Sequence, residues 1–256
     1  MAKVLYNLLY KIKISEYGMK TVLITGGTRG IGREMVKKFS EAGYAVAFTY
    51  RTSESAADEL SRLTGALAIK ADSANEAEVV SAVKEVKEKM GNVNILINNA
   101  AVSSFSIFTD ITLDAWRDMF STNVDGAFLY SREVLPSMIN NKWGRIINIS
   151  SMWGIVGSSC EVHYSATKAA LIGMTKALAK EVGPSGITVN AIAPGLIDTD
   201  MNKSLTELDI AEVVDSTPLM RIGTPSDVAD AALFLASDGA SFITGDVLNI
   251  SGGLVV

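Results

Sequence analysis

The sequence predicts an α/β fold in which a doubly wound parallel sheet has helices on both faces. Short β-branched runs alternate with longer amphipathic segments from Lys20 onward, and this alternation is typical of parallel β-α-β units. Several runs are apolar throughout, as strands covered on both faces should be. Neither a linker nor a repeat interrupts the pattern, so we expect one domain over residues 19–256.

Seven strands and six helices follow from this pattern. The predicted strands are Thr21–Thr25, Ala45–Tyr50, Leu67–Ala71, Asn94–Ile97, Arg145–Ser150, Ile187–Ile192 and Asp246–Ile250. The predicted helices are Ile31–Ala42, Glu54–Thr64, Ala74–Met90, Leu113–Ile139, Val162–Val182 and Ser226–Ser237. Ser73 and Thr224 are of the types that cap helix N-termini. Gly43, Gly65 and Gly183 stand where helices should end.

The composition excludes several classes of protein. The 256 residues are 48% hydrophobic and carry Lys+Arg 23 against Asp+Glu 28, a net charge of −5. This balance excludes disorder and offers no basic surface for nucleic acid. One cysteine, Cys160, and one histidine, His163, leave neither a disulfide framework nor a Cys/His metal site. No apolar run approaches the ~20 residues of a membrane helix, so we expect a soluble, cytoplasmic protein with no membrane partner.

Residues 1–18 stand apart from this pattern. Three lysines, Lys3, Lys11 and Lys13, and one glutamate, Glu16, give this segment a net charge of +2. It has no small-residue cleavage site, so we do not expect a signal peptide. Three interpretations stay open: a disordered extension, a start codon assigned too early with Met19 as the true start, and an amphipathic segment that lies on a membrane surface.

A glycine-rich loop follows the first predicted strand and opens the first predicted helix. Glycines at such a turn let the backbone approach a pyrophosphate, and the helix N-terminus offers free N–H groups and the positive end of its dipole. The context therefore predicts a cofactor site. Its expected contacts are Gly26, Thr28, Arg29, Gly30, Ile31 and Gly32.

The end of the second strand predicts NADP(H) rather than NAD(H). An acidic residue there would bind the ribose 2′-hydroxyl, whereas an arginine would meet a 2′-phosphate. The sequence has Arg51, and no acidic residue stands between this strand and Glu54. Arg29 in the glycine loop is a second cation that could reach the same phosphate.

Four side chains support one catalytic mechanism. Tyr164 and Lys168 are four residues apart on one helical face, Ser151 follows the fifth strand, and Asn123 starts another helical segment. Lys168 and an oxidised nicotinamide would lower the Tyr164 pKa from its usual ~10, so that the phenol exchanges a proton with the substrate oxygen. Ser151 would polarise the carbonyl, Lys168 would also hold the nicotinamide ribose, and the cofactor would supply the hydride.

Several motifs, in order and spacing, resemble those of the short-chain dehydrogenase/reductase family. They are TGGTRGIG (25–32), NNA (98–100), Asn123, Ser151, YSATK (164–168) and Pro194-Gly195. The resemblance covers residues 19–256. It implies a seven-stranded Rossmann-like fold, an Asn–Ser–Tyr–Lys tetrad, and a proton-relay water held by Asn123. It also implies cofactor contacts at Asp72, Ser73, Asn99, Ala100, Tyr164, Lys168, Pro194, Gly195, Ile197 and Thr199.

One residue departs from the family pattern. Ala101 stands where the family usually has glycine after NNA, and its methyl group adds bulk beside the cofactor. We expect a modest shift of the Val102–Thr109 loop rather than loss of binding. His163 is expected to edge the pocket or to face away from Tyr164, without a catalytic part.

Within the family, the whole chain most resembles the bacterial 3-oxoacyl-(acyl-carrier-protein) reductases. The stretches 189–201, 221–238 and 243–253 carry this resemblance. It implies NADPH-dependent reduction of a 3-oxoacyl thioester, on carrier protein or CoA, to the 3-hydroxyacyl thioester in fatty-acid biosynthesis. It also implies a homotetramer, with the helix over Val162–Val182 at an interface.

The substrate stays open, because an acidic carrier protein needs a basic dock. Pro136 and Ser185 stand where carrier-using relatives often have arginine, and the cations expected nearby are Arg132, Lys142 and Arg145.

Two alternatives therefore stand beside the thioester. The predicted lid, Leu196–Thr217, is apolar enough for an acyl chain, a steroid or a small ketone, and sugar dehydrogenases share the same stretches. A non-catalytic NADP-binding sensor would be expected to lack part of the tetrad, which is complete here.

Overall fold

The computed structural model describes residues 19–203 and 205–255. Seven strands form one parallel sheet in the order β3-β2-β1-β4-β5-β6-β7. They are β1 (Thr21–Ile24), β2 (Ala45–Tyr50), β3 (Leu67–Lys70), β4 (Val93–Asn98), β5 (Gly144–Ile149), β6 (Ile187–Pro194) and β7 (Val247–Ile250). The seven predicted strands and the parallel sheet are confirmed. The predicted extension, residues 1–18, lies outside the described residues.

Helices connect the strands and cover the sheet. They are α1 (Gly30–Glu41), α2 (Glu54–Thr64), α3 (Glu76–Met90), α4 (Leu113–Phe120), α5 (Gly126–Asn141), α6 (Trp153–Val156), α7 (Val162–Val182), α8 (Glu207–Ser216) and α9 (Pro225–Ala236). In the described ranges, no helix is both long and apolar enough to cross a bilayer.

Each face of the sheet has its own apolar core. Successive side chains of a strand point to opposite faces, so Val22 and Ile24 of β1 pack with α1, α2 and α9, and Leu23 packs with α3, α5 and α7. All three side chains are 0% exposed. Burial on both faces explains why the strands read as continuous apolar runs.

The order of the strands locates the site. The chain runs from β1 outward to β3, then crosses back to β4 beside β1 and continues to β7. The C-terminal ends of β1 and β4 thus flank the point where the winding reverses, which is where open parallel sheets bind ligands. The glycine loop follows β1, and the NNA motif begins at Asn98, the last residue of β4.

The structure confirms one predicted helix cap and corrects another. Thr224 caps α9 in a reciprocal capping box with Asp227. Ser73 does not cap α3: that helix begins later, and the side chain of Asn75 accepts from the Ala77 and Glu78 amides. Gly65 ends α2 in the left-handed conformation, with φ of +73°.

The segment predicted over Leu113–Ile139 is helical throughout, but it is not one continuous α-helix. A π-helical turn, Ser121–Asp125, separates α4 from α5. Asn123 therefore lies within this turn and does not start a helical segment. A π turn fits one extra residue into a helix and is often found at functional sites.

Candidate active site

The glycine loop is tied to the end of β4 by Thr25 and Asn99. The hydroxyl oxygen of Thr25 accepts hydrogen bonds from the backbone N–H groups of Asn99 and Ala100, both at 2.9 Å. The Asn99 side chain donates to the carbonyl oxygens of Thr25 and Gly26, at 2.9 and 3.0 Å. These bonds hold the two loops at the switch point in a fixed relation.

Two glycines of the loop cannot be replaced without a backbone shift. A Cβ on Gly32 would lie 2.1 Å from the Gly26 carbonyl oxygen. Gly26 has φ of +69°, and a Cβ there would lie 2.9 Å from the Cα of Ala100. The first turn of α1 has no side-chain cap, so its N–H groups stay available to a ligand. The loop therefore fits the pyrophosphate of a dinucleotide.

A cleft runs from this loop along the ends of β2, β3 and β4. Twelve predicted cofactor residues line it: Gly26, Thr28, Arg29, Gly30, Ile31, Gly32, Arg51, Asp72, Ser73, Asn99, Ala100 and Thr199. The prediction did not include ten further lining residues: Thr49, Tyr50, Thr52, Ser53, Ala71, Ala101, Val102, Thr122, Asp200 and Met201. Most of these residues lie within two positions of a predicted contact along the sequence.

Three predicted contacts lie at the end of β6, beyond the residues that line the cleft. The Pro194 carbonyl accepts from the Met152 amide at 2.9 Å, and the Gly195 amide donates to the Ile250 carbonyl at 2.9 Å. Ile197 is 3% exposed and packs in the core that contains α9. Its contact with a nicotinamide carboxamide stays a prediction.

Two of the predicted cofactor contacts that line the cleft, Arg51 and Arg29, are cations. Arg51 is exposed, and its Nη1 lies 3.8 Å from the Oδ2 of Asp72, so these two predicted contacts are neighbours. Arg29 lies close enough to Asp200 for its charge to lower the pKa of that carboxyl, after the larger effect of Lys203. A phosphate on the ribose would find positive charge here.

Ser151, Tyr164 and Lys168 form one buried cluster at the C-terminal end of β5. The Tyr164 hydroxyl lies beside the Ser151 side chain, close enough for Ser151 to lower its pKa. The Lys168 Nζ donates to the Ile149 carbonyl oxygen at 2.8 Å and lies 5.5 Å from the centre of the Tyr164 ring. The Ser150 hydroxyl donates to the Lys168 carbonyl at 2.8 Å, which fastens α7 to the strand.

Burial dominates the acidity of this cluster. It raises the pKa of Tyr164 above the usual 10; the charge of Glu161 raises it further, and the Ser151 side chain lowers it. Burial lowers the pKa of Lys168 to about 7. A phenol in this setting gives up its proton less readily than free tyrosine, so the lowering we predict depends on positive charge from Lys168 and a bound oxidised nicotinamide.

The fourth predicted residue, Asn123, uses its side chain to hold the backbone beside the cleft. Its Oδ1 accepts from the Val102 amide at 2.8 Å, and its Nδ2 donates to the Val102 carbonyl at 2.9 Å and to the Thr167 hydroxyl at 3.1 Å. Thr167 in turn donates to the Tyr164 carbonyl at 2.8 Å. Asn123 is thus joined to α7 one turn beyond the phenol.

The sequence reasoning missed Glu161 as part of this site. Its side chain is 7% exposed at the start of α7, and burial raises its pKa while a bond to Ser158 lowers it. Residues three apart share a helical face. The spacing of three residues between Glu161 and Tyr164 is therefore the sequence signal that could have indicated Glu161.

Two of the cations expected near the pocket mouth, Lys142 and Arg145, do not lie there. Lys142 and Arg145 lie at the start of β5, at the edge of the sheet opposite Ser151. Arg145 is 3% exposed, and its guanidinium lies 4.4 Å from the Trp143 ring. Arg132 pairs with Glu76 and Glu133, at 2.7 and 2.9 Å.

Within residues 19–203 and 205–255, no three His, Cys, Asp or Glu side chains cluster closely enough to hold an ion.

Known proteins similar to this chain include reductases of acyl-carrier-protein substrates. A family model described as enoyl-(acyl carrier protein) reductase matches residues 26–255. The chain is 40% identical over 240 residues to the 3-oxoacyl-(acyl-carrier-protein) reductase FabG of Aquifex aeolicus, covering 92% of this chain and 97% of that protein. It is 38% identical over 237 residues to FabG of Salmonella typhimurium, covering 92% and 97%.

A solved structure agrees with these relatives. A double mutant of a Serratia marcescens short-chain dehydrogenase/reductase matches with a TM-score of 0.87 and 36% identity, covering 93% of this chain and 98% of that chain.

Proposed function

Because the chain belongs to the short-chain dehydrogenase/reductase family, we propose that it reduces a 3-oxoacyl thioester to the 3-hydroxyacyl thioester with NADPH, in fatty-acid biosynthesis. The buried Ser151–Tyr164–Lys168 cluster beside the cofactor cleft carries this proposal. A ketone oxygen needs a proton as hydride arrives at its carbon, and Tyr164 is a phenol held in place to give it. The identity to FabG proteins supports the thioester as substrate.

The residues that line the cleft would hold the pyrophosphate and the adenosine part of the cofactor. The free N–H groups of the first turn of α1 would hold the pyrophosphate, and Asp72 and Ser73 would lie at the adenine. Arg51 and Arg29 would meet the 2′-phosphate, which supports NADP(H) as the form used. A bound nicotinamide supplies the hydride.

The cluster divides the proton chemistry among three side chains. Ser151 lies beside the Tyr164 hydroxyl and would share the substrate oxygen with it, which polarises the carbonyl. Lys168 has two ammonium protons beyond the one donated to Ile149. They would face the ribose and the phenol, and their charge would stabilise the phenolate left after proton transfer.

The proton relay is supported by the backbone of the π turn. Both N–H groups of the Asn123 side chain are used, by Val102 and Thr167. In the turn, the Gly126 amide bonds back to the Ser121 carbonyl, five residues earlier. Because this bond spans five residues rather than four, one backbone carbonyl of the turn lacks its usual helical donor. We propose that the relay water binds to this carbonyl.

We also propose a cytoplasmic homotetramer. Ala169, Gly173 and Ala177 lie on one exposed face of α7, which suits close packing against a second helix. Light scattering of the purified protein tests this: four times the chain mass of 27.2 kDa is expected.

The function is tested by NADPH oxidation with acetoacetyl-CoA and then acetoacetyl-carrier protein, with NADH run in parallel. We expect turnover with both thioesters and a strong preference for NADPH. Protein that binds NADPH but reduces neither thioester would be a dehydrogenase of a sugar, steroid or small ketone. Tyr164→Phe should lose turnover and keep NADPH affinity, and unchanged turnover would contradict the mechanism. A sensor would bind NADPH and reduce no substrate.

A further inference from the structure

A hydrogen bond outside the tetrad joins the catalytic helix to the loop after β4. The Oγ of Ser104 and the Nε2 of His163 are 2.8 Å apart. His163 immediately precedes Tyr164 in α7 and is 1% exposed, whereas Ser104 is exposed. The proposed mechanism uses neither residue.

The loop that carries Ser104 is held against the active site at both ends. At one end, both backbone groups of Val102 bond to the Asn123 amide, and Val102 lines the cofactor cleft. At the other end, the Ser106 amide donates to the Cys160 carbonyl at 2.8 Å. Residues 102–106 therefore run from the cleft to the residues just before Tyr164, so Ser104 lies at the substrate side.

Burial of the ring sets the direction of the Ser104–His163 bond. Burial lowers the pKa of His163, so the ring is neutral at neutral pH. Its Nδ1 is buried and has no partner in the described part of the chain. A proton there would be a buried donor without an acceptor, which is unfavourable. The proton therefore sits on Nε2 and is donated to Ser104.

The Ser104 hydroxyl then keeps its own proton to donate. Among residues 19–203 and 205–255, no group accepts it. The oxygen of this hydroxyl accepts a hydrogen bond from His163, and its proton has no acceptor among the described residues. The hydroxyl can therefore donate a hydrogen bond to a bound ligand.

We propose that Ser104 is a substrate-binding residue, aimed by His163 as a positioning residue, whose hydroxyl donates to a second oxygen of the substrate. In a 3-oxoacyl thioester the thioester carbonyl is two carbons from the ketone, and this is the oxygen we assign to Ser104. The inference rests on the proposed function, because a simple ketone has no second oxygen.

Four variants test the pair. Ser104→Ala removes the donor at an exposed position. His163→Gln keeps an Nε2–H group, and His163→Leu removes it. Ser106→Ala is the matched control: within the described ranges its hydroxyl donates only to the neighbouring Ile107 carbonyl, at 3.3 Å, and its backbone bond to Cys160 is kept. Circular dichroism and NADPH affinity verify folding.

Each variant is assayed with NADPH against acetoacetyl-CoA and against cyclohexanone, which has one oxygen. Ser104→Ala and His163→Leu should lower kcat/KM for acetoacetyl-CoA by about three- to tenfold, the range of a neutral hydrogen bond. The loss should appear in KM, with cyclohexanone unaffected. His163→Gln and Ser106→Ala should stay near wild type.

Two different results would count against the inference. Unchanged kinetics in Ser104→Ala, or equal losses with both ketones, overturns it and leaves the reductase function in place. Wild-type protein that binds NADPH but reduces neither acetoacetyl-CoA nor acetoacetyl-carrier protein overturns the proposed function, and the inference with it.

Discussion

The Lys168 Nζ lies 5.5 Å from the centre of the Tyr164 ring, and both side chains are buried. The pair holds one ammonium and one phenol away from water, and burial shifts each pKa toward the neutral form. Charge that arrives with a bound cofactor acts on the pair in this low-dielectric setting, where it has a larger effect than in water.

The cofactor-free protein should become more stable between about pH 7 and pH 10 because of Lys168. Its folded pKa is about 7, against ~10.4 in an unfolded chain. The unfolded state therefore binds more protons in this window, and the free energy of unfolding rises with pH by about 1.4 kcal/mol per unit from this group. Urea unfolding at pH 7, 8 and 9 measures the slope. Lys168→Met should remove that rise, and a variant that keeps it contradicts the burial argument.

Glu161→Gln should move the alkaline limb of the kcat/KM profile to lower pH. The charge of Glu161 raises the pKa of Tyr164, and reduction needs the phenol protonated. Removing the charge should lower the pH at which activity falls by roughly one unit or less. Glu181→Gln, at an exposed position of α7, is the control. Identical profiles for wild type and Glu161→Gln would refute the prediction.

Arg51→Ala should weaken NADPH binding by about 10- to 100-fold, the range of hydrogen bonds to charged groups. NADH, which lacks the 2′-phosphate, should bind nearly as before. Fluorescence titration of both cofactors measures the two affinities. Lys70→Ala removes an exposed cation at the end of β3 that does not line the cleft and should leave both unchanged. An equal loss for both cofactors in Arg51→Ala would count against NADP selection by this residue.

Asp227→Asn should destabilise the fold by about 1–2 kcal/mol at pH 7. Asp227 accepts two bonds from Arg221, at 2.8 and 2.9 Å, and two from Thr224. The Arg221 bonds and those to Thr224 hold the Asp227 pKa well below its usual range. Asp227 therefore contributes its full stabilisation of the folded state above the unfolded pKa of ~3.9. This stabilisation is lost as the pH falls toward the pKa of Asp227 in the folded protein. Chemical unfolding should show a smaller difference at pH 3 than at pH 7; an equal difference would contradict this origin.

The strands and the glycine loop could be predicted because their signals are local. An apolar run such as Ile95–Ile97 and a glycine cluster after a strand have the same meaning in any surrounding structure. The π turn could not, because long-range bonds from Asn123 to Val102 and Thr167 accompany it. Helical periodicity does not reveal one extra residue in a turn.

The misplaced cations have a different cause. Arg145 is near Ser151 in sequence, but a strand of six residues, β5, separates the two ends. The parallel topology was itself predicted. It puts the N-terminal end of every strand on the side of the sheet that is far from the site. A short distance along the sequence therefore does not mean a short distance in space here. The Ser104–His163 bond joins residues 59 apart, and no pattern in the sequence indicates it.

The most direct test is mass spectrometry of the product formed from acetoacetyl-carrier protein and NADPH that is deuterated at both C4 positions. A parallel reaction with the corresponding 2-enoyl thioester distinguishes ketone reduction from the enoyl reduction named by the matching family model. We predict a 3-hydroxybutyryl thioester with one deuterium on C3, and no such product from Tyr164→Phe. Recovery of unchanged acetoacetyl thioester, with deuterium only in a saturated acyl product from the enoyl substrate, would contradict the proposed reaction.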